Sequence, residues 1–220
     1  MKEELELSTR ELIMKMLKTQ SELSTKDITE QLGITGMAVR RHLAVLEKEE
    51  LIEYTTVRQP MGRPVSVYRL TEKAEDFFPK RYHAVALDLL SELKEEAGEE
   101  MVNHLFDLRQ VSLQKRYLSN MDGKDLESKV AALAQIQSNN GYMATWEKTS
   151  DDVYELTEYN CPIYQVANNY NHACTCELRL FESLLGADVK RTECLAKQGK
   201  KCVYRIRKKS SSDHHAVDSN

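Results

Sequence analysis

Apolar positions recur every three to four residues through the first fifty, and the period then changes. In 8–18 (STRELIMKMLK), Leu12, Ile13, Met16 and Leu17 repeat at helical spacing, with Ser8 and Thr9 as candidate N-caps. Glu11 stands at capping-box distance from Ser8. Ser24-Thr25-Lys26-Asp27 opens a second helix carrying Ile28 and Leu32, and Gly33 stops it. A third helix is expected from about Gly36 to Lys48, with Val39, Leu43 and Leu46 on one face and Arg40, Arg41 and Ala44 off it. Residues 51–57 and 65–70 are alternating or β-branched and read as two strands around Gln59-Pro60-Met61-Gly62-Arg63-Pro64, a turn by composition. Thr71 begins another helix that stops before Pro79.

From 80 to 139 the pattern is helical throughout. Ala84, Leu87, Leu90 and Leu93 form one apolar stripe, and Met101, Leu105, Leu108 and Val111 another. Leu126, Val130, Leu133 and Ile136 follow Asp122-Gly123, and Asn139-Asn140-Gly141 ends the run. Residues 142–148 and 153–159 read as a hairpin. A helix over 162–185 ends at Gly186 in C-cap position, with 168–171 (NNYN) as a candidate break. Two more strands are expected over 188–194 and 201–207. The fold class is therefore α+β, divided as a winged helix-turn-helix (1–79), a helical connector or dimerisation region (80–139), an α+β sensor domain with antiparallel strands (140–207) and a polar, disordered tail (208–220). His214 and His215 in that tail read as a stray pair.

Charge refines the first domain. The net charge of −4 is no signature of a nucleic-acid binder, and residues 1–79 hold twelve Lys/Arg against fourteen Asp/Glu. Yet 33–46 and 54–70 contain Arg40, Arg41, Arg58, Arg63 and Arg69 with no acidic residue, which leaves one basic face possible. A third helix entering the major groove needs small or hydrogen-bonding residues at its start, and Thr35, Gly36, Met37 and Ala38 meet that need. Arg40 and Arg41 suit bidentate contact with guanine or phosphate, and His42 can reach a phosphate. Arg58 and Arg63 flank a rigid turn, as a wing gripping the DNA backbone would. The stretch 27–43 (DITEQLGITGMAVRRHL) resembles winged-helix repressors of the DeoR and ArsR-like classes. The resemblance puts Thr35 to Arg41 on the recognition helix and implies a double-stranded operator read by a homodimer.

The five cysteines all fall between 161 and 202. The N-terminus carries no hydrophobic export signal and no apolar run approaches a membrane span, so a reducing cytoplasm is expected, where clustered thiols read as metal ligands or redox sensors. Cys194 and Cys202 flank the loop between the last two strands and could meet there. Cys161 and either Cys174 or Cys176 would complete four donors. Two residues apart on a helix, side chains diverge by roughly 200°. Cys174 and Cys176 therefore cannot share one site on an unbroken helix, and Cys176 reads best as a small buried hydrophobe.

Asn160-Cys161-Pro162-Ile163, Cys174-Thr175-Cys176-Glu177, Phe181, Leu185-Gly186, Val189-Lys190-Arg191 and Gly199-Lys200-Lys201-Cys202-Val203-Tyr204 together resemble the C-terminal domain of the SufR family, iron–sulfur-sensing repressors of cluster-assembly operons. The resemblance implies a dimer holding a 4Fe–4S or 2Fe–2S cluster through Cys161, Cys174 and Cys202. Where that family has a further cysteine after the Leu-Gly step, this chain has Asp188, and Cys194 lies nearer the last hairpin. Cys194, Asp188, His172 and Cys176 stay open as fourth ligand, with zinc as the alternative metal. Cys194 with Gly199-x-x-Cys202 also resembles small sensor domains of the 4-vinyl reductase type, which bind zinc or small molecules. A metal-free thiol switch is a further alternative. The helices over 80–118 and 124–138 would dimerise the chain or fill the second core. No Gly-rich phosphate loop, GxSxG or HExxH occurs, and His83 and His104 stand alone, so an enzyme is not expected.

Overall fold

The capping signals close as hydrogen-bonded boxes. In the computed structural model, which describes residues 7–209, Ser8 N–H donates to Glu11 Oε2 at 2.7 Å and Glu11 N–H returns a bond to Ser8 Oγ at 3.3 Å. Helix α1 (Thr9–Gln20) starts there. Ser24 and Asp27 repeat the device at the start of α2 (Thr25–Leu32), each cap being worth about 1 kcal/mol. Gly33, at φ 65°, takes the left-handed turn that ends α2 and releases the chain toward α3 (Gly36–Lys48). The N-terminal hexapeptide and the tail from 210, with His214 and His215, lie outside the described residues.

The chain divides into two compact units, residues 1–80 and 81–220. In the first, β1 (Glu22–Ser24), β2 (Ile52–Val57) and β3 (Val65–Leu70) form an antiparallel sheet in the order β1-β3-β2. Strand β1 has only three residues, too few to leave a periodic signal, and is held by Leu23 opposite Tyr68. Ile13, Leu17, Ile28, Val39, Leu43 and Leu46, each no more than 1% exposed, form one core under the sheet and the three helices. The expected helix after Thr71 is a 3₁₀ segment, Glu72–Phe77, that buries only Ala74.

The second unit contains α4 (Tyr82–Ala97), α5 (Glu99–Tyr117), α6 (Leu126–Asn139), β4 (Ala144–Ser150), β5 (Val153–Glu158), α7 (Tyr164–Asn169), α8 (His172–Leu185), β6 (Asp188–Glu193) and β7 (Cys202–Arg207). The expected long helix over 162–185 is two helices, parted at Tyr170 and Asn171. Its strands form an antiparallel sheet in the order β4-β5-β7-β6. The two local hairpins are joined through β5 and β7, with Leu156 opposite Tyr204 and Glu158 opposite Cys202. Against this sheet lie Val130 and Leu133 of α6 and Phe181, Leu184 and Leu185 of α8. Phe181 meets Tyr204 edge-on with ring centroids 4.8 Å apart. The stripe Met101, Leu105, Leu108 and Val111 does not fill the unit's core: each is 42–49% exposed, and Val102 and Phe106 turn inward instead. Among the described residues no helix is long and apolar enough to cross a membrane.

Candidate DNA-reading surface and candidate metal centre

Burial of Val39, Leu43 and Leu46 fixes the rotation of α3 and turns Arg40 and Arg41 to solvent. Thr35 is the N-cap, its hydroxyl accepting from Ala38 N–H at 3.3 Å, so the chain enters the helix with its first turn open to a ligand. Met37 is 79% exposed beside it. A Cβ on Gly36 would come no closer than 3.6 Å to Thr29, so the fold itself does not demand glycine there. In the loop between β2 and β3, Arg58 and Arg63 are exposed and Met61 is 93% exposed.

Pairing separates these arginines from the unit's other two, Arg10 and Arg69. Arg10 bonds Glu49, Lys18 bonds Glu75, Arg69 Nε donates to Glu53 at 2.7 Å and Lys73 to Glu50 at 2.9 Å. Among the described residues, Arg40, Arg41, Arg58 and Arg63 form no ion pair or side-chain hydrogen bond. Their charge is uncompensated at contact distance, as a phosphate-binding face requires.

In the second unit, Cys174 (α8), Cys194 (after β6) and Cys202 (start of β7) are buried in one apolar cluster, and Cys161 packs against it. A tight loop sets the hairpin pair: Lys197 N–H and Gly199 N–H both donate to the Cys194 carbonyl, at 3.0 and 2.9 Å. Glu193 Oε1 accepts from Lys200 N–H at 2.7 Å. Leu195 N–H donates to Cys202 Sγ at 3.4 Å, and Ile163 N–H to the Cys161 sulfur. The Cys174 and Cys194 thiols hydrogen-bond each other. Burial pushes Cys161 up to about 11 and Cys174 and Cys202 up to about 12, with neighbouring acids and Cys194 adding to the effect. Such thiols stay protonated until a cation displaces the proton. Arg191 donates to the Cys174 carbonyl at 2.9 Å and places a positive charge beside Cys174 and Cys194.

The spacing bears on which group these donors fit. Zinc at about 2.3 Å from each thiolate puts ligand sulfurs roughly 3.8 Å apart. Among the described residues, the trio of donors lying within 4.8 Å of one another is Asp107, His172 and Cys176, not three of the four clustered cysteines. Four soft donors in an apolar cluster, two of them accepting backbone N–H bonds, are of the type that holds thiophilic ions or iron–sulfur clusters.

Residues 8–54 match the family model described as bacterial regulatory protein, arsR family. The chain is a DNA-binding transcription regulator. No curated protein matches it. Among solved structures it is similar to ZitR of Lactococcus lactis, described as a zinc-responsive MarR family member, at 26% identity over 52% of this chain and 79% of that one, TM-score 0.28. It is also similar to the phenol-responsive sensory domain of the transcription activator PoxR, at 13% identity over 77% and 89% of the two chains, TM-score 0.42. PadR of Bacillus subtilis, solved with operator DNA, gives 16% identity over 79% and 98%, TM-score 0.29. At these TM-scores the three structures decide neither fold nor ligand.

Of the regulator's other candidate ligands, Asp188 is excluded by register. It opens β6 opposite Arg207, the last residue of β7, whereas Cys202 is the first. At about 3.4 Å per residue the two ends are roughly 17 Å apart. His172 and Cys176 are excluded by direction, since both turn to Asp107 on α5, whereas Cys174 joins the sheet-side cluster. Asp107 carries no sequence signal of its own, being one acid in a charged helix. Cys176 is no activated nucleophile: burial and Asp107 push its thiol up to about 11, and His172 addresses the carboxylate rather than the sulfur.

Sequence reading also missed a pair of acids, one buried and one half-buried. Glu158, 1% exposed, accepts from Gln137 Nε2 at 2.7 Å, and Glu177 accepts from the Tyr204 hydroxyl at 2.8 Å. Burial raises both carboxyls, and at Glu158 repulsion from Glu177 adds to the rise to about 9, so Glu158 is held neutral beside the cysteines. Glu177 also lines a cavity of about 230 Å³ with Arg109, Tyr142, Ile163 and Leu180.

Proposed function

We propose that this regulator is a repressor that binds operator DNA as a homodimer, with its affinity set by an iron–sulfur cluster on Cys161, Cys174, Cys194 and Cys202. The observation carrying the reading is the gathering of four free thiols from three separate segments into one apolar cluster. Arg191 would offset part of the negative charge of a loaded site, and the Leu195 and Ile163 amides would tune its potential through their bonds to sulfur. The bound cluster supplies sensitivity to oxidants and to iron supply; the protein supplies thiolates and a dry wall. The chain would act in the cytoplasm, where free thiols persist.

Thr35, Gly36, Met37, Ala38, Arg40 and Arg41 would meet base edges and phosphates in the major groove, and Arg58 and Arg63 the flanking backbone. The dimer would form through the uncovered stripe of α5 with Tyr82, Val85 and Leu89 of α4, which lie at i, i+3 and i+7 and are 57–75% exposed. A small organic effector in the cysteine-bearing unit is the weaker reading, because the cavities there, about 230 and 290 Å³, fall below the roughly 300–1,000 Å³ of ligand pockets. The test is a duplex selected from random sequence by the full chain, titrated anaerobically with loaded and stripped protein. Affinity that differs at least about tenfold between the two forms supports cluster control, and equal affinity overturns it.

A further inference from the structure

Helices α5 and α8 carry a second group of donors, on the side of α8 away from Cys174. His172 and Cys176 stand at i and i+4, so one helix face presents both, the spacing by which two ligands of a helical metal motif share an ion. Asp107 of α5 faces them. His172 Nε2 lies 2.9 Å from Asp107 Oδ1, and the Cys176 thiol donates to the same oxygen at 3.3 Å. Arg179, one turn further along α8, also donates to Oδ1 at 3.3 Å. Two protic ligands and a cation thus converge on one carboxylate oxygen, and the three ligand atoms lie within 4.8 Å of one another.

From this convergence we infer that Asp107, His172 and Cys176 form a divalent transition-metal site, separate from the four-cysteine cluster and suited to zinc. One nitrogen, one oxygen and one sulfur form a donor set that Mg²⁺ and Ca²⁺ disfavour and Zn²⁺ accepts. Binding releases the Cys176 thiol proton and moves the His172 N–H to Nδ1. The two anionic ligands then balance a divalent charge. Arg179, whose side chain is 54% exposed, has room to withdraw to solvent when the ion takes over its role beside Asp107. His172 is 23% and Asp107 42% exposed, so the ion has an entry path and a fourth position open to water or a further ligand. Such a three-ligand site is exchangeable rather than purely structural, and it ties α5 to the helix whose opposite side carries Cys174.

Cobalt(II) is the probe. The full chain is prepared metal-free under reductant with Cys194→Ser and Cys202→Ser, which disables the hairpin pair, and is titrated with Co²⁺. One equivalent should bind with visible bands of low-coordinate cobalt and a sulfur-to-cobalt charge-transfer band. Adding Cys176→Ser should abolish the charge-transfer band. His172→Gln and Asp107→Asn should each weaken binding by roughly 100-fold or more, beyond what loss of an outer-shell partner costs. Should the double variant lose its helical circular dichroism, the wild-type chain serves, and Cys176→Ser must then lower the Co²⁺ stoichiometry by one. Binding indifferent to all three substitutions, or no binding in the folded double variant, overturns the site.

Discussion

Replacing both wing arginines, Arg58→Ala with Arg63→Ala, should change how DNA binding responds to salt by an amount that can be worked from the ion pairing. Neither side chain has an acidic partner among the described residues, so each is free to displace a condensed counterion from a phosphate. Each phosphate neutralised on duplex DNA contributes about 0.9 to the slope of log K against log salt. Losing two contacts per wing lowers that slope by about 1.8, and by about 3.6 when both wings of a dimer are engaged. With an unchanged intercept at about 1 M, one wing is then worth about 30-fold in affinity at about 0.15 M salt. Fluorescence anisotropy with a labelled duplex of arbitrary sequence suffices, because the term is sequence-independent. The control is Arg69→Ala, whose guanidinium already bonds Glu53 at 2.7 Å and lies 3.9 Å from Glu22. It should leave the slope within about 0.5 of the parent. An unchanged slope in the wing variant, or an equal fall in the control, would refute the reasoning that unpaired arginines mark the DNA face.

Three further outcomes follow from other parts of the chain. Glu158→Gln should flatten the pH dependence of stability in metal-free protein: the folded pKa, about 9, is raised, so stability is full below the ordinary carboxyl range and falls as pH climbs toward that value. Urea unfolding between about pH 5 and 8 should show the parent losing about 1.4 kcal/mol per pH unit more than the variant, and parallel curves would contradict the buried neutral acid. Leu105→Glu with Leu108→Glu, on side chains 42% and 49% exposed, should convert a dimer to monomers in sedimentation, weakening association by roughly 3 kcal/mol or more; an unaltered dimer would place the interface elsewhere. Gly199→Ala puts a Cβ 2.7 Å from the Cys194 carbonyl oxygen, so the loop must shift and carry Cys194 with it. Iron bound per chain after reconstitution should fall while DNA binding of the stripped protein is kept, and full loading would show the loop to be irrelevant to the site.

Where sequence order and spatial order coincide, the fold was readable from the residues. Ser8 with Glu11 and Ser24 with Asp27 announce two helices because the bonds that cap them span only three residues. The turn around Gly62 joins strands that are neighbours in both senses. Strand β1 escaped notice because its pairing with β3 depends on a distant partner rather than on any pattern in Glu22-Leu23-Ser24. The junction of β5 with β7 is equally non-local. Helix α5 shows a different limit. Its apolar residues form two adjacent stripes, and periodicity cannot say that Val102 and Phe106 turn inward while Leu105 and Leu108 stay uncovered. At the two proposed metal centres, the divergence of Cys174 from Cys176 follows from helix geometry alone, whereas Asp107 meets Cys176 only through the packing of α5 on α8.

The most direct test of the sensor is to purify the full chain anaerobically, record its visible absorption and measure iron, acid-labile sulfide and zinc. The account predicts a brown protein with matched iron and sulfide, whose colour is lost on replacing Cys161, Cys174, Cys194 or Cys202 by serine and kept on replacing Cys176. A colourless protein that holds only zinc, or that takes up no cluster on reconstitution, would contradict it.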